Sequence, residues 1–136
     1  MSYYTKLNED LKFGLESEEN NFEKFKDFLN CPELKKTAKN HPFDFESDNY
    51  LVELKTRKCL STTYKDTMMP VSKLNYCKDK GKDVYFCFQF TNGLYYWKHN
   101  DEEEKKCRFG RGGRFDRSRA EVKDYFFIPT DLLTPI

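Results

Sequence analysis

Between Phe43 and Lys55 the chain writes two short extended segments back to back. Tyr50-Leu51-Val52-Glu53-Leu54-Lys55 alternates in character. Successive side chains of a strand point to opposite faces, so Tyr50, Val52 and Leu54 share one face while Glu53 and Lys55 share the other. The first set is apolar and the second is charged. Phe43-Asp44-Phe45 repeats the pattern on a smaller scale, with both rings expected in the core and the carboxylate facing outward. Asp48-Asn49 is a turn pair between the two runs.

An acidic residue two positions before a lysine occurs six times in this chain, so the spacing alone says little. Only Glu53 and Lys55 lie in an alternating, strand-like run that directly follows a second such run carrying an aspartate. Two carboxylates and an ammonium placed together are what divalent-metal hydrolysis of a phosphodiester requires. The competing reading is the solvated face of an edge strand.

Upstream, Leu15, Phe22, Phe25 and Leu29 recur at helical spacing, which predicts an amphipathic helix over about residues 14–30 with one buried stripe. At about 100° per residue, Glu18 falls near the middle of that stripe, while Glu16 and Glu19 fall to its sides. A carboxylate there is costly unless a metal or a hydrogen-bond network shared with Asp44 and Glu53 offsets the burial. Alternatively, Glu18 reaches solvent from the first helical turn, where the helix dipole favours negative charge.

Glu18, Phe43-Asp44-Phe45 and Glu53-Leu54-Lys55 with Thr56-Arg57 together resemble the PD-(D/E)xK nuclease superfamily, the group with the restriction-endonuclease-like fold. The resemblance spans roughly residues 14–99. One departure stands out: the proline that often precedes the aspartate is displaced by one position, with Phe43 between Pro42 and Asp44. The resemblance implies an α/β fold, a central mixed β-sheet flanked by helices in the order α-β-β-β-α-β-β plus a C-terminal strand.

The order of elements read from the residues agrees. After the first helix, Glu33 to Thr37 is a candidate strand that could equally be loop or helix, and the two strands carrying Asp44 and Glu53 follow. Pro70 suits a first helical position, and Val71, Leu74 and Cys77 predict a helix from Val71 to Lys80 closed by Gly81. Val84 to Phe90 reads as a buried strand. Asn92-Gly93 is a hairpin turn, Leu94 to Trp97 the returning strand, Tyr125 to Ile128 a last strand, and Pro129 to Leu133 a helix start or turn.

The superfamily resemblance implies a metal-dependent nuclease acting on DNA, with RNA not excluded, and structure-specific or junction-resolving cleavage among its forms. Asp44 and Glu53, with Glu18 and the Leu54 carbonyl, would hold Mg²⁺ or Mn²⁺, and Lys55 would act on the attacking water and on developing charge. Lys73 on the second helix and Arg57 beyond the signature are candidates for contact with nucleic acid. Arg108, Arg111, Arg114, Arg117 and Arg119 are interleaved with glycines and with Phe109 and Phe115, in a basic loop expected at about 105–120. Arginines pair with phosphate, glycines let backbone approach it, and rings stack on unpaired bases. A solvated loop balanced by the acidic run from Asp101 to Glu104 is the plainer reading.

At 136 residues the chain is expected to be a single domain, small for an enzyme that must also grip a duplex, so a homodimer is a candidate assembly. A net charge of +1 is not that of a generic DNA coater, and any binding surface must come from local segregation of charge. The five cysteines, at 31, 59, 77, 87 and 107, have no CxxC spacing, so reduced, mostly structural thiols are expected. His41 and His99 are too few and too far apart for a zinc constellation; a surface role is expected for each, although His41, just before the Asp44 strand, could face the site. No apolar run approaches the roughly 20 residues that span a bilayer, and an intracellular site, cytoplasmic or nuclear, is expected. The alternative function is a catalytically silent nucleic-acid-binding module with a nuclease-like fold, or a protein-interaction module presenting the hairpin Tyr95-Tyr96-Trp97.

Overall fold

Strand alternation organises the molecule into three layers. The computed structural model describes residues 3–112 and 123–136. The chain runs α1 (Tyr3–Leu29), β1 (Lys35–Lys36), β2 (Phe45–Glu46), β3 (Tyr50–Thr56), β4 (Asp66–Pro70), α2 (Val71–Cys77), β5 (Asp83–Phe90), β6 (Gly93–Lys98), α3 (Asp101–Glu104), β7 (Arg108–Gly112), β8 (Lys123–Pro129), a 3-10 turn (Thr130–Leu132) and β9 (Thr134–Pro135). Six strands form one sheet in the order β1-β2-β3-β5-β6-β9, and three form a second in the order β4-β8-β7. β3 and β5 are parallel, joined by a crossover through β4 and α2, whereas the flanking pairs β2–β3 and β5–β6 are antiparallel. The expected mixed α/β architecture is therefore present.

One face of the large sheet packs on α1 through Phe25, Leu29, Phe45, Val52, Leu54 and Cys87. The other packs on α2 and the small sheet through Leu51, Phe86, Phe88, Trp97, Leu74 and Phe126. β5 contributes to both faces, which is why Val84 to Phe90 is almost continuously apolar. Trp97 stacks on Phe86 and is 1% exposed, so the aromatic hairpin serves the core. The Trp97 indole N–H donates to Glu103 Oε1 at 3.0 Å, giving α3 a reason to sit where it does.

α1 begins well before the predicted start and ends where expected. Its C-terminus is a Schellman closure: Asn30 has φ +51°, Cys31 N–H donates to Lys26 O at 2.9 Å, and Asn30 N–H donates to Asp27 O at 3.2 Å. The buried stripe differs from the predicted one. Ser17, Asn21, Phe25 and Leu29 are buried at spacings of four, whereas Leu15 is 61% exposed. The apolar residues alone misplaced the upper half of this face because two of its buried members are polar.

Three further expectations need correction. Pro70 closes strand β4 and caps α2 instead of opening it, and α2 stops at Cys77. Arg108 to Gly112, expected in a loop, form β7, paired antiparallel with β8. β8 itself joins the small sheet, and the C-terminal strand added to the large sheet is β9, paired with β6. Among the described residues no helix is long and apolar enough to cross a membrane.

Candidate active site

Phe43 and Phe45 are both buried, but on opposite faces of the large sheet. Phe43 packs on Tyr76 and Phe86, while Phe45 packs on Phe22 and Phe25. The backbone therefore swings between layers at Asp44, just before β2, instead of continuing as a regular strand. This leaves the Asp44 carboxylate at a seam, where α1 approaches from one side and the charged face of β3 from the other. Its Oδ2 accepts the Leu54 N–H at 2.8 Å, which ties it to the strand that carries Glu53 and Lys55.

Glu53 shares the face of Leu51, toward α2, and is 2% exposed. Two ammonium groups meet its Oε2: Lys73 at 3.0 Å and Lys55 at 3.7 Å. Lys73 is not a solvated helix lysine, because it also donates to the Pro42 carbonyl just upstream of Asp44. The resulting cluster spans α1, the approach to β2, β3 and α2.

The electrostatics follow from this crowding. Burial, with the hydrogen bond and charge of Asp44 added, pushes the Glu18 carboxyl up to about 8, against the opposing pull of Lys36 and Lys55. Burial and the Asp44 charge push Glu53 up to about 8 as well, with Lys55 and Lys73 pulling the other way. Like charges disfavour one another's ionisation, and Asp44 sits between the two glutamates. Glu18, Asp44 and Glu53 do not offer ligand atoms that all lie within 4.8 Å of one another.

A cleft of about 560 Å³ opens over Asp44, between the N-terminal half of α1 and the end of β3. Gly14 and Glu18 form its helical wall, and Leu54, Lys55, Thr56, Arg57 and Lys58 its strand wall. Lys58 pairs with Asp10 at 3.6 Å, a link between the two walls that motif reading did not find. His41 was also undervalued. Its Nδ1 accepts the Phe43 N–H at 2.9 Å and its Nε2 meets the Tyr76 hydroxyl at 3.2 Å, so it braces the backbone leading to Asp44.

Among the described candidate arginines, Arg57 reaches the cleft, whereas Arg108 and Arg111 do not line it. The Arg57 guanidinium donates to the Met68 carbonyl at 2.6 Å and to Thr67 Oγ1 at 3.4 Å, bracing β4 against β3 while lining the cleft. Arg108 lies 3.8 Å from the Phe127 ring centre and 3.7 Å from Asp66, and Arg111 pairs with Asp124 at 3.5 Å. Arg114, Arg117 and Arg119 lie outside the described residues. Among the described residues, His99, Asp101 and Glu104 offer ligand atoms within 4.8 Å of one another. They stand at the opposite end of the sheet, since His99 N–H donates to Val84 O at the start of β5.

The sequence profile of a family described as phage putative PDDEXK endonuclease matches residues 12–135. No curated protein matches the chain, and no solved structure does.

Proposed function

Since the chain belongs to the phage putative PDDEXK endonuclease family, we propose that it hydrolyses phosphodiester bonds of DNA at the Asp44 cleft, with Mg²⁺ or Mn²⁺ as cofactor. The family generally uses divalent metals. One observation carries the assignment to these residues: Asp44, held by the Leu54 N–H, adjoins two carboxyls, Glu18 and Glu53, that their burial and its charge drive toward the protonated state. Such a set of hard oxygen donors suits an ion of this class.

Asp44 and Glu53 would hold the ion, with Glu18 on the helical side and the Leu54 carbonyl as a further ligand. When bound, a divalent ion supplies Lewis acidity toward a phosphate oxygen and lowers the pKa of a bound water. The protein's own residues do the rest. The Leu54 N–H and the Lys73 ammonium fix the two principal carboxylates, so that neither must reorganise when substrate arrives. Lys55, 35% exposed at the mouth of the cleft, orients the attacking water and neutralises charge building on the phosphate.

The test is cleavage of plasmid and branched DNA by the purified chain in Mg²⁺ or Mn²⁺, beside Asp44→Ala, Glu53→Ala and Lys55→Ala. Loss of cleavage in all three is expected, and undiminished cleavage in all three would remove the assignment.

A further inference from the structure

A second cavity, of about 490 Å³, adjoins the cleft just beyond the end of β3 and shares Arg57 and Lys58 with it. We propose that this cavity receives an unpaired base of the substrate strand. The favoured substrate is then DNA with an extrahelical or single-stranded nucleotide beside the cleaved bond. The inference rests on the nuclease reading above and names the substrate class of the same site.

Size and chemistry both fit. The volume lies in the range that encloses a small organic ligand, and apolar walls with a few placed polar groups are the usual make-up of such a site. Here Phe90, Phe127 and Met68 supply apolar wall, while Thr67 and Asp66 supply hydrogen-bonding groups for a base edge.

Tyr64 is the decisive side chain. Tyr50, Tyr76, Tyr85, Tyr95 and Tyr96 each pack against another ring of the protein. Among the described residues no ring stacks on Tyr64, which lines the cavity and is 67% exposed. An open aromatic face in a cavity that also holds a fixed cation is an arrangement on which unpaired bases stack. Arg57 is that cation, held by the Met68 carbonyl and the Thr67 hydroxyl at the wall shared by the two cavities.

The loop that forms the cavity is built in advance. Leu60 N–H donates to Thr63 Oγ1 at 3.0 Å, Ser61 N–H to Asn92 Oδ1 at 2.8 Å, and Thr91 N–H to Cys59 O at 3.0 Å, tying residues 59–63 to the β5–β6 hairpin. Thr130 N–H closes the far end on Lys65 O at 2.9 Å. Spacing is right as well. Arg57 stands two residues past Lys55, about 7 Å along extended chain, and it lines both cavities, so the second cavity opens directly beside the cleft. A base leaving the stack next to the cleaved bond would enter the cavity that Tyr64 lines.

The experiment measures binding of two DNAs to the full chain in Ca²⁺: a fully paired duplex, and the same duplex with one extrahelical 2-aminopurine whose fluorescence reports stacking. The wild-type chain is expected to prefer the second and to quench its fluorescence. Tyr64→Ala should weaken binding of that DNA by about 5- to 150-fold, the range spanned by base–aromatic stacking, with the quench lost and the paired duplex little affected. Tyr64→Trp should restore both. Equal loss on the two DNAs, or no loss on either, would overturn the proposal. Neither readout depends on cleavage, so failure of Asp44→Ala to stop cutting would strike the nuclease reading separately.

Discussion

Asp44 Oδ2 accepts the Leu54 amide N–H at 2.8 Å, so the residue between the two glutamates is itself held by the strand that carries one of them. That contact separates the structural role of residue 44 from its charge. Asparagine in the same rotamer still offers an oxygen to Leu54. Asp44→Asn should therefore keep thermal stability close to that of the parent while cleavage falls by more than about 100-fold, as for loss of a preorganised electrostatic group. A melting curve beside a plasmid-nicking assay checks both halves.

The two lysines on Glu53 should respond differently. Lys73 is mostly buried and spans Glu53 and the Pro42 carbonyl, so Lys73→Met is expected to destabilise the fold by about 1–3 kcal/mol, through polar groups left without their donor. Lys55 is more exposed and stands farther from Glu53, so Lys55→Met should cost under about 1 kcal/mol while removing cleavage. Urea titration of both variants, paired with the nicking assay, resolves the difference.

Much of this site was legible because it is local. Glu53 and Lys55 share a strand face by alternation, and the helical angle of Glu18 pointed it toward the same place even though Leu15 proved exposed. The position of Asp44 between two layers was not legible, since it depends on Phe43 and Phe45 choosing opposite cores. β4 was missed because Asp66-Thr67-Met68-Met69-Pro70 is short, mixed in polarity and ends in proline. β7 was missed because Arg108-Phe109-Gly110-Arg111-Gly112 has the composition of a loop and is a strand only through pairing with β8. Lys58 and His41 carry no motif at all, and their roles exist only once α1 and α2 are docked.

The acidity of the cluster makes stability depend on pH in a definite direction. Glu18 and Glu53 are raised from about 4.5 in the unfolded chain to about 8 in the fold. Between those values the native state binds more protons than the unfolded state. Their contribution is therefore fully present below the lower value and is lost as pH rises through the upper one. The metal-free protein should melt at progressively lower temperature from about pH 5 to pH 9. Mg²⁺ or Mn²⁺ should restore stability most at the alkaline end, where the ligands are already ionised, and should release protons on binding near neutral pH. Thermal scans across pH with and without metal, and calorimetry in two buffers of different ionisation enthalpy, measure these effects.

Calorimetric titration of Mn²⁺ into the full chain and into Asp44→Asn, Glu53→Gln and Glu104→Gln tests the placement of the ion most directly. Binding should weaken by more than about tenfold in the first two variants and stay unchanged in Glu104→Gln, which disrupts the cluster at the far end of the sheet. Unchanged affinity in Asp44→Asn and Glu53→Gln, with loss in Glu104→Gln, would place the ion at His99 and contradict the account.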